Sequence, residues 1–223
     1  MSMTAILSTF RGAIRGVGAL GLAAFLAAGA AAQGMTEGTN YLRLNNPQPV
    51  ETGKNIEVIE FFSYGCPHCG ELEPYLQTWL KTKPADVTFR RVPVMFQPRW
   101  ESLARVYYTL DALGDEPKFS PEVFAAIYSK GVPLWNEKDF LDWGASKGLD
   151  RKKLEDIYKS FAIVGKVNRA KQLAAAYNIQ STPTLIVDGK FITGPDKLPQ
   201  GHASMPAALD AMIQKARAER PKS

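Results

Sequence analysis

The two cysteines of this chain, Cys66 and Cys69, are separated by only two residues, in the motif Cys66-Pro67-His68-Cys69. They are the only cysteines among 223 residues. A disulfide that closes so small a loop removes little conformational entropy from the unfolded chain, so it stabilises a fold weakly. The pair is therefore predicted to do redox chemistry.

Two other uses of the cysteines were open at the level of sequence. A structural zinc site needs four ligands, commonly Cys and His, and the chain has two cysteines and two histidines, His68 and His202. This ligand count disfavours zinc, and we expect no metal and no other cofactor. An inert structural disulfide is disfavoured by the loop size. His202 stands alone between two small residues and is interpreted as a surface or helix-capping residue.

The residues around the pair predict where each sulfur lies. Residues 56–62 are β-branched and aromatic, as in a buried strand, and the residues from Cys66 to about Lys81 have helical spacing. Cys66 is thus expected at a helix N-terminus, where free N–H groups and the helix dipole stabilise a thiolate. Cys66 is the predicted nucleophile, and Cys69, one turn further, is the predicted buried resolving thiol.

The two residues between the cysteines are expected to tune this chemistry. Pro67 is compatible with the first helical turn, whose N–H groups lack partners within the helix. His68 adds positive charge near the sulfur, because its reference pKa lies close to neutrality. We expect these features to lower the pKa of Cys66. A stabilised thiolate favours the reduced form, which makes the disulfide a stronger oxidant by roughly 30 mV per pKa unit.

Glu60 is an acidic residue inside the strand predicted at 56–62. Burying a charge is costly, so two interpretations were open: a solvated carboxylate, or a buried acid that shuttles the proton of Cys69. The doublet Arg90-Arg91 is interpreted as a solvated face, with a charge network to Glu73 as the alternative.

The order of predicted elements gives the fold class. It is βαβ, a helical block and then ββα, which fits an α/β protein with a thioredoxin fold interrupted by an all-helical insertion. The thioredoxin-like parts are assigned to residues 33–98 and 164–223, and the insertion to residues 99–163. The other predicted elements are an edge strand at 41–44, strands at 87–94, 184–187 and 190–193, and helices at 101–113, 121–130, 137–146, 151–161, 163–177 and 205–218.

Thr182 and Pro183 stand immediately before the strand predicted at 184–187. A proline in this position often simply opens the strand. In a thioredoxin-like chain we expect instead a cis-proline packed against the cysteine pair, because a cis X–Pro bond is rare and implies a specific use. The Thr182 backbone would then face the active sulfur.

The first 32 residues have the pattern of a cleaved secretory signal peptide. Arg11 and Arg15 are followed by an apolar run to Ala30, and residues 30–32 are small, so that Gln33 is the predicted mature start. An uncleaved membrane anchor is the alternative, but the run is shorter than the roughly 20 residues that a span needs. We expect export to an oxidising compartment and no stable membrane insertion afterwards.

Charge gives little information about partners. The formal charge is +5 for the whole chain, and +3 once Arg11 and Arg15 are removed with the signal peptide, since residues 1–32 hold no acidic residue. The basic groups are not interleaved with aromatic residues, so we expect no nucleic-acid binding.

The segment Glu60-Phe61-Phe62-Ser63-Tyr64-Gly65-Cys66-Pro67-His68-Cys69 resembles the active-site segment of the DsbA family of periplasmic thiol:disulfide interchange proteins. The helical insertion and the late Thr182-Pro183 also match, so the resemblance covers nearly all of the mature chain. It implies a periplasmic dithiol oxidase that donates its disulfide to exported cysteine-containing proteins. It also implies reoxidation by a quinone-linked, DsbB-like inner-membrane partner, and substrate binding beside Thr182 and Pro183.

Thr182 departs from the family pattern, in which the best-known members have Val before the proline. Related isomerases often carry Thr there, so a disulfide isomerase or reductase is the alternative function. Isomerases similar to this chain add an N-terminal dimerisation module, for which residues 33–55 are too few, and this favours a monomeric oxidase. A periplasmic chaperone with an incidental disulfide is a third hypothesis; Cys66→Ser should spare a chaperone and inactivate a catalyst.

Overall fold

The computed structural model describes residues 34–220, and within this range the chain forms a mixed five-stranded sheet and seven α-helices. From Met35 onward it forms one compact unit. The predicted signal peptide, residues 1–32, and the predicted mature start at Gln33 lie outside the described residues.

The elements follow the predicted order, preceded by one short edge strand. The strands are β1 (Leu42–Arg43), β2 (Ile56–Phe62), β3 (Val87–Pro93), β4 (Thr184–Val187) and β5 (Phe191–Thr193). The helices are α1 (Pro67–Thr82), α2 (Pro98–Leu113), α3 (Glu116–Tyr128), α4 (Glu137–Ser146), α5 (Arg151–Tyr158), α6 (Phe161–Ala176) and α7 (Met205–Glu219). Two short 3-10 helices, Pro195–Lys197 and Gly201–Ser204, connect β5 to α7.

The strand that leads to the cysteines lies inside the sheet, whose order is β1-β5-β4-β2-β3. Every residue of β2 is buried, which explains its β-branched and aromatic composition. Strands β2 and β3 are parallel, whereas the other pairs are antiparallel. In the parallel register Glu60 pairs with Arg91. The sheet therefore places a carboxylate and a guanidinium side by side, close to the end of β2 that leads to the cysteines.

Helices cover both faces of the sheet, and the insertion forms a third core. One face packs against α1 and α7, and the other against α6. Helices α2 to α5 share a separate apolar cluster that also includes Phe62, Tyr64 and both cysteines. The insertion is thus built directly against the active-site turn.

The boundary predicted between residues 163 and 164 falls inside α6. Ser160 caps this helix, and its Oγ accepts a hydrogen bond from the Ile163 N–H at 3.3 Å. The helix predicted at 151–161 accordingly ends earlier, at Tyr158. Because α6 packs on the sheet through Ala170 and on α2 through Ile163, one helix belongs to both the insertion and the thioredoxin-like core.

Among the described residues, no helix combines the length and the apolar character that crossing a bilayer requires.

Candidate active site

Cys66 lies where the turn after β2 becomes helix α1. It is the N-cap residue of α1, with an extended backbone (φ −104°, ψ 114°), and Pro67 follows in the first helical turn. The Cys66 carbonyl accepts hydrogen bonds from the N–H groups of Cys69 (3.1 Å) and Gly70 (3.3 Å). Both cysteines are free thiols; Cys66 is 5% exposed and Cys69 is fully buried. The helix therefore begins at the first sulfur and covers the second.

The two sulfurs have opposite electrostatic environments. The pKa of Cys66 is lowered to about 5, first because the Cys69 thiol donates a hydrogen bond to it, and further by the N–H groups of Cys69 and His68, while burial opposes the shift. The pKa of Cys69 is raised well above its usual value, because burial disfavours the thiolate and because Cys66 and the charge of Glu60 add to the effect. Near neutral pH, Cys66 is therefore the thiolate and Cys69 the thiol.

Thr182 and Pro183 lie against the exposed side of Cys66. The peptide bond between them is cis, and the Thr182 carbonyl oxygen lies 3.4 Å from Cys66 Sγ. Both residues line a surface groove of about 540 Å³, together with His68 and His202. The groove opens to the surface beside the Thr182 backbone and the sulfur next to it.

His68 is on the surface next to this groove, with a side chain that is 66% exposed. Its Nδ1 lies 2.9 Å from Glu71 Oε2. This hydrogen bond is the main cause of a raised pKa of His68, and the charge of Cys66 adds to it. The imidazole is thus more often protonated near neutral pH and is placed to stabilise the thiolate, although its exposure limits the size of that effect.

Arg91 is a buried arginine that three carboxylates surround. Its Nε lies 2.7 Å from Glu60 Oε2 and its Nη2 lies 2.5 Å from Glu73 Oε2. Its Nη1 lies 2.8 Å from Glu116 Oε1 and donates to Ser120 Oγ at 2.8 Å. The interpretation of the doublet as a solvated face is wrong for Arg91, whose side chain is 2% exposed. The strand register turns it inward, beneath α1 and α3.

Glu60 is 1% exposed, so the solvated interpretation is wrong for this residue too. Burial raises the pKa of Glu60 to about 7; Arg91 opposes this, and Glu73 and Glu116 add to it. A carboxyl group with a pKa near 7 gains and loses a proton readily at neutral pH. Since its charge also affects the pKa of Cys69, Glu60 has the burial and the proton affinity that a shuttle for Cys69 requires.

Glu60→Gln tests this assignment, because glutamine keeps the shape of the side chain and cannot exchange the proton. We expect the exchange steps that protonate or deprotonate Cys69 to slow by about 100-fold, and their pH dependence near neutrality to disappear. Stopped-flow kinetics of mixed-disulfide resolution, recorded over a pH series, measures both effects. Glu57→Gln is the matched control, since Glu57 is a buried acid of the same strand that binds Arg90 instead. Equal rates for wild type and Glu60→Gln would make Glu60 purely structural.

Four residues at or near the site were not singled out as functional from the sequence: Glu71, Glu116, Ser120 and His202. Glu116 and Ser120 lie in the first two turns of α3, whereas the sequence predicts that this helix starts at Ser120 and residue 121. The capping interpretation of His202 is wrong, because Ser204 is the N-cap residue of α7. The His202 ring instead stacks on His68, with centroids 6.0 Å apart. A lone histidine in a loop gave no sequence signal for this contact.

Comparison with known proteins agrees with this geometry. A family model described as a DSBA-like thioredoxin domain matches residues 57–205. The chain belongs to this DsbA-like family. The predicted family and fold class are thereby confirmed, and the protein is a thiol:disulfide oxidoreductase.

Individual DsbA proteins match over most of their length. The thiol:disulfide interchange protein DsbA of Bordetella pertussis is 38% identical over 199 residues, which is 89% of this chain and 93% of the relative. The DsbA of Pseudomonas aeruginosa strain PAO1 is 38% identical over 172 residues, or 77% and 82%. The crystal structure of Pseudomonas aeruginosa DsbA superposes with a TM-score of 0.77 at 37% identity and covers 82% of this chain and 95% of that one. NmDsbA1 of Neisseria meningitidis gives a TM-score of 0.74 at 30% identity, covering 83% and 96%.

Proposed function

We propose that this DsbA-like protein is a periplasmic dithiol oxidase that donates its Cys66–Cys69 disulfide to exported proteins. The observation that supports the direction of transfer is the asymmetry of the two sulfurs. Stabilising the Cys66 thiolate stabilises the reduced protein, which makes the disulfide more oxidising. The pKa of Cys66, about 5, lies two units below pH 7. Ionisation of this thiol at pH 7 therefore stabilises the reduced protein by about 2.7 kcal/mol, which raises the reduction potential by roughly 60 mV.

The proposed reaction moves two electrons from a substrate dithiol to the protein disulfide. A substrate thiolate attacks Cys66, which forms a mixed disulfide and breaks the Cys66–Cys69 bond. Cys69 leaves with the bonding electron pair and takes a proton, for which the Glu60 carboxyl is the proposed donor. The second substrate thiolate then attacks the substrate sulfur of the mixed disulfide. The substrate disulfide forms, and Cys66 leaves as a stable thiolate.

Substrate is proposed to bind in the groove beside Thr182 and Pro183, through contacts with the Thr182 backbone. The short distance between the Thr182 carbonyl and Cys66 Sγ, 3.4 Å, supports this assignment. A segment bound there would have its own sulfur within reach of Cys66. Backbone recognition suits a protein that accepts many unfolded or partly folded partners, because it does not depend on particular side chains.

Regeneration of the disulfide requires an electron acceptor, and we propose a DsbB-like, quinone-linked protein of the inner membrane. The Cys66 thiolate would attack the disulfide of that partner. Cys69, after losing its proton to Glu60, would then attack Cys66 and release the partner as a dithiol. This cycle needs no metal or organic cofactor within the protein itself.

The protein is proposed to act as a monomer. Its helical insertion, predicted at residues 99–163, is proposed to shield the resolving thiol Cys69. Glu116 and Ser120 of the insertion close the charge network around Arg91. Phe124 lies so close to Gly70 that a side chain at position 70 would place its Cβ atom 3.2 Å from the Phe124 ring. These contacts exclude water from the side of α1 that holds Cys69.

The first test of the proposed function is the redox equilibrium of Cys66 and Cys69 in a series of glutathione buffers. We expect a reduction potential well above that of the glutathione couple, together with oxidation of a reduced two-cysteine peptide that is lost in Cys66→Ser. A potential close to that of thioredoxin would instead favour the isomerase or reductase, for which Thr182 is the motivating residue. Activity that survives Cys66→Ser would indicate the chaperone.

A further inference from the structure

We propose that His68, Glu71 and His202 form a binding site for a divalent transition metal ion, with Zn²⁺ as the occupant, at the rim of the substrate groove. Each residue offers one ligand atom, and these atoms all lie within 4.8 Å of one another. This proposal departs from the expectation of no metal, because the carboxylate of Glu71 supplies a third ligand besides the two histidines.

The three side chains converge because two elements meet there. His68 and Glu71 are three residues apart on α1, so they lie on the same helix face. His202 reaches them from the 3-10 helix Gly201–Ser204. The two imidazole rings are nearly parallel, with an interplanar angle of 24°, and both direct Nδ1 towards Glu71 Oε2, at 2.9 Å for His68 and 3.7 Å for His202.

Two of the three separations are close to those around one shared ion, and the third, between the ligand nitrogens of the two histidines, is no more than 4.8 Å. Zn²⁺ binds His nitrogen and carboxylate oxygen at about 2.0–2.2 Å, so two ligands of a tetrahedral site lie about 3.4 Å apart. The observed 2.9 Å and 3.7 Å lie on either side of that value. The side chains are 66%, 55% and 21% exposed for His68, Glu71 and His202, so the first two have room to adjust. Two histidines, one carboxylate and an open fourth position form a donor set that is typical of exchangeable zinc.

The surroundings of His202 provide a second observation. Its Nε2 is buried and makes no hydrogen bond to the described part of the chain. The ring instead faces Glu71 through Nδ1, which lies 3.7 Å from the carboxylate oxygen. The fold therefore leaves Nδ1 of His202 available to bind the same ion as the Glu71 carboxylate.

A bound ion would also affect disulfide exchange, and this part of the inference depends on the proposed function. The groove that His68 and His202 line is the proposed binding site for substrate beside Thr182 and Pro183. An ion across its rim would narrow the approach to Cys66 and would engage the imidazole that stabilises the thiolate. Zn²⁺ is therefore expected to slow transfer of the disulfide to a peptide, reversibly on chelation.

The binding test uses the oxidised, untagged protein, because free thiols and histidine tags bind zinc themselves. Competition with a chromogenic zinc chelator is expected to show one Zn²⁺ per chain. His202→Asn and Glu71→Gln should each weaken binding by roughly tenfold or more. Glu101→Gln is the matched control, since Glu101 is an exposed acid paired with Lys171, and it should bind as wild type does. The visible spectrum of the Co²⁺ form should report nitrogen ligation and change in His202→Asn.

Two outcomes would overturn the inference. One is stoichiometric binding by the reduced protein with none by the oxidised protein, which would assign the metal to the thiols. The other is equal affinity in wild type and His202→Asn, with unchanged circular dichroism to show that the variant is folded. Both results are independent of the direction of electron transfer, so failure of the metal site and failure of the proposed function are distinguishable.

Discussion

Arg91→Met is expected to destabilise the protein by about 3–5 kcal/mol, because it leaves three buried carboxylates without their shared counter-charge. Glu60 and Glu73 contact Arg91 in the interior, and Glu116 does so at its edge. Methionine fills a similar volume between Phe62 and Phe89, whose rings the guanidinium contacts. The loss of stability would therefore come from the unpaired negative charges and not from a cavity. Urea-induced unfolding, followed by tryptophan fluorescence at pH 8, measures it.

Arg217→Met is the matched control for this substitution. Arg217 makes a two-point contact with Asp86, with both nitrogen–oxygen distances at 2.9 Å, but the two side chains are 44% and 49% exposed. An exposed ion pair of this kind contributes about 0–1 kcal/mol. The comparison of the two variants thus separates the loss of a buried charge network from the loss of an exposed arginine–carboxylate pair.

The destabilisation by Arg91→Met should depend on pH in a defined direction. Without the arginine, Glu60 loses the positive charge that opposes the burial-driven rise of its pKa, so the folded variant binds more protons than its unfolded state. Its stability therefore rises as the pH falls. We expect the variant to recover part of the loss at pH 5, and also when Glu73→Gln removes one stranded charge. A variant within 1 kcal/mol of wild type at pH 8, which is about the range of an exposed pair, would show that the network is not stabilising.

The pattern of Cys66-Pro67-His68-Cys69 after a hydrophobic strand was sufficient to predict the redox pair, its place at a helix start and the surrounding fold. Those features depend on local sequence, since spacing fixes which residues share a helical turn. The state of Glu60 and Arg91 depends instead on the register of two strands that are 25 residues apart, from Phe62 to Val87 at their nearest ends. A doublet of arginines looks the same in sequence whether its strand is at the surface or beneath two helices.

Helix boundaries in the insertion show a similar limit. The sequence predicts separate helices at 151–161 and 163–177, and the hydrogen bond from the Ile163 N–H to Ser160 Oγ marks the start of the second one two residues earlier, at Phe161. Pro121 suggested a helix start, yet it lies within α3, which begins at Glu116. Because the predicted start is five residues too late, Glu116 and Ser120, two of the groups that contact Arg91, fall outside the predicted helix. His202, far from His68 in sequence, is brought to it only by the connection between β5 and α7.

The reduced protein is expected to lose about 2.7 kcal/mol of stability between pH 7 and pH 4 through the titration of Cys66 alone. The folded-state pKa of Cys66, about 5, is depressed below its ordinary value of 9.0. The contribution of the thiolate is therefore complete above the unfolded-state pKa, is partial at pH 7, and disappears as the pH falls through 5. Reduced wild type is compared with Cys66→Ser by urea unfolding at both pH values, since serine does not ionise in this range.

Subtracting the free energy of unfolding of Cys66→Ser from that of wild type removes the contributions of the other titrating groups, above all Glu60. The raised pKa of Glu60, about 7, acts in the opposite direction, since a folded state that binds more protons becomes more stable as the pH falls.

A direct titration of the Cys66 thiolate by ultraviolet absorbance gives the pKa of Cys66 independently. His68→Gln should raise that pKa by about half a unit and lower the reduction potential by roughly 15 mV, because water screens the exposed imidazole. If the stability difference between wild type and Cys66→Ser is the same at pH 7 and pH 4, the helix end does not stabilise a thiolate. The oxidising character proposed for the disulfide would then lack its physical basis.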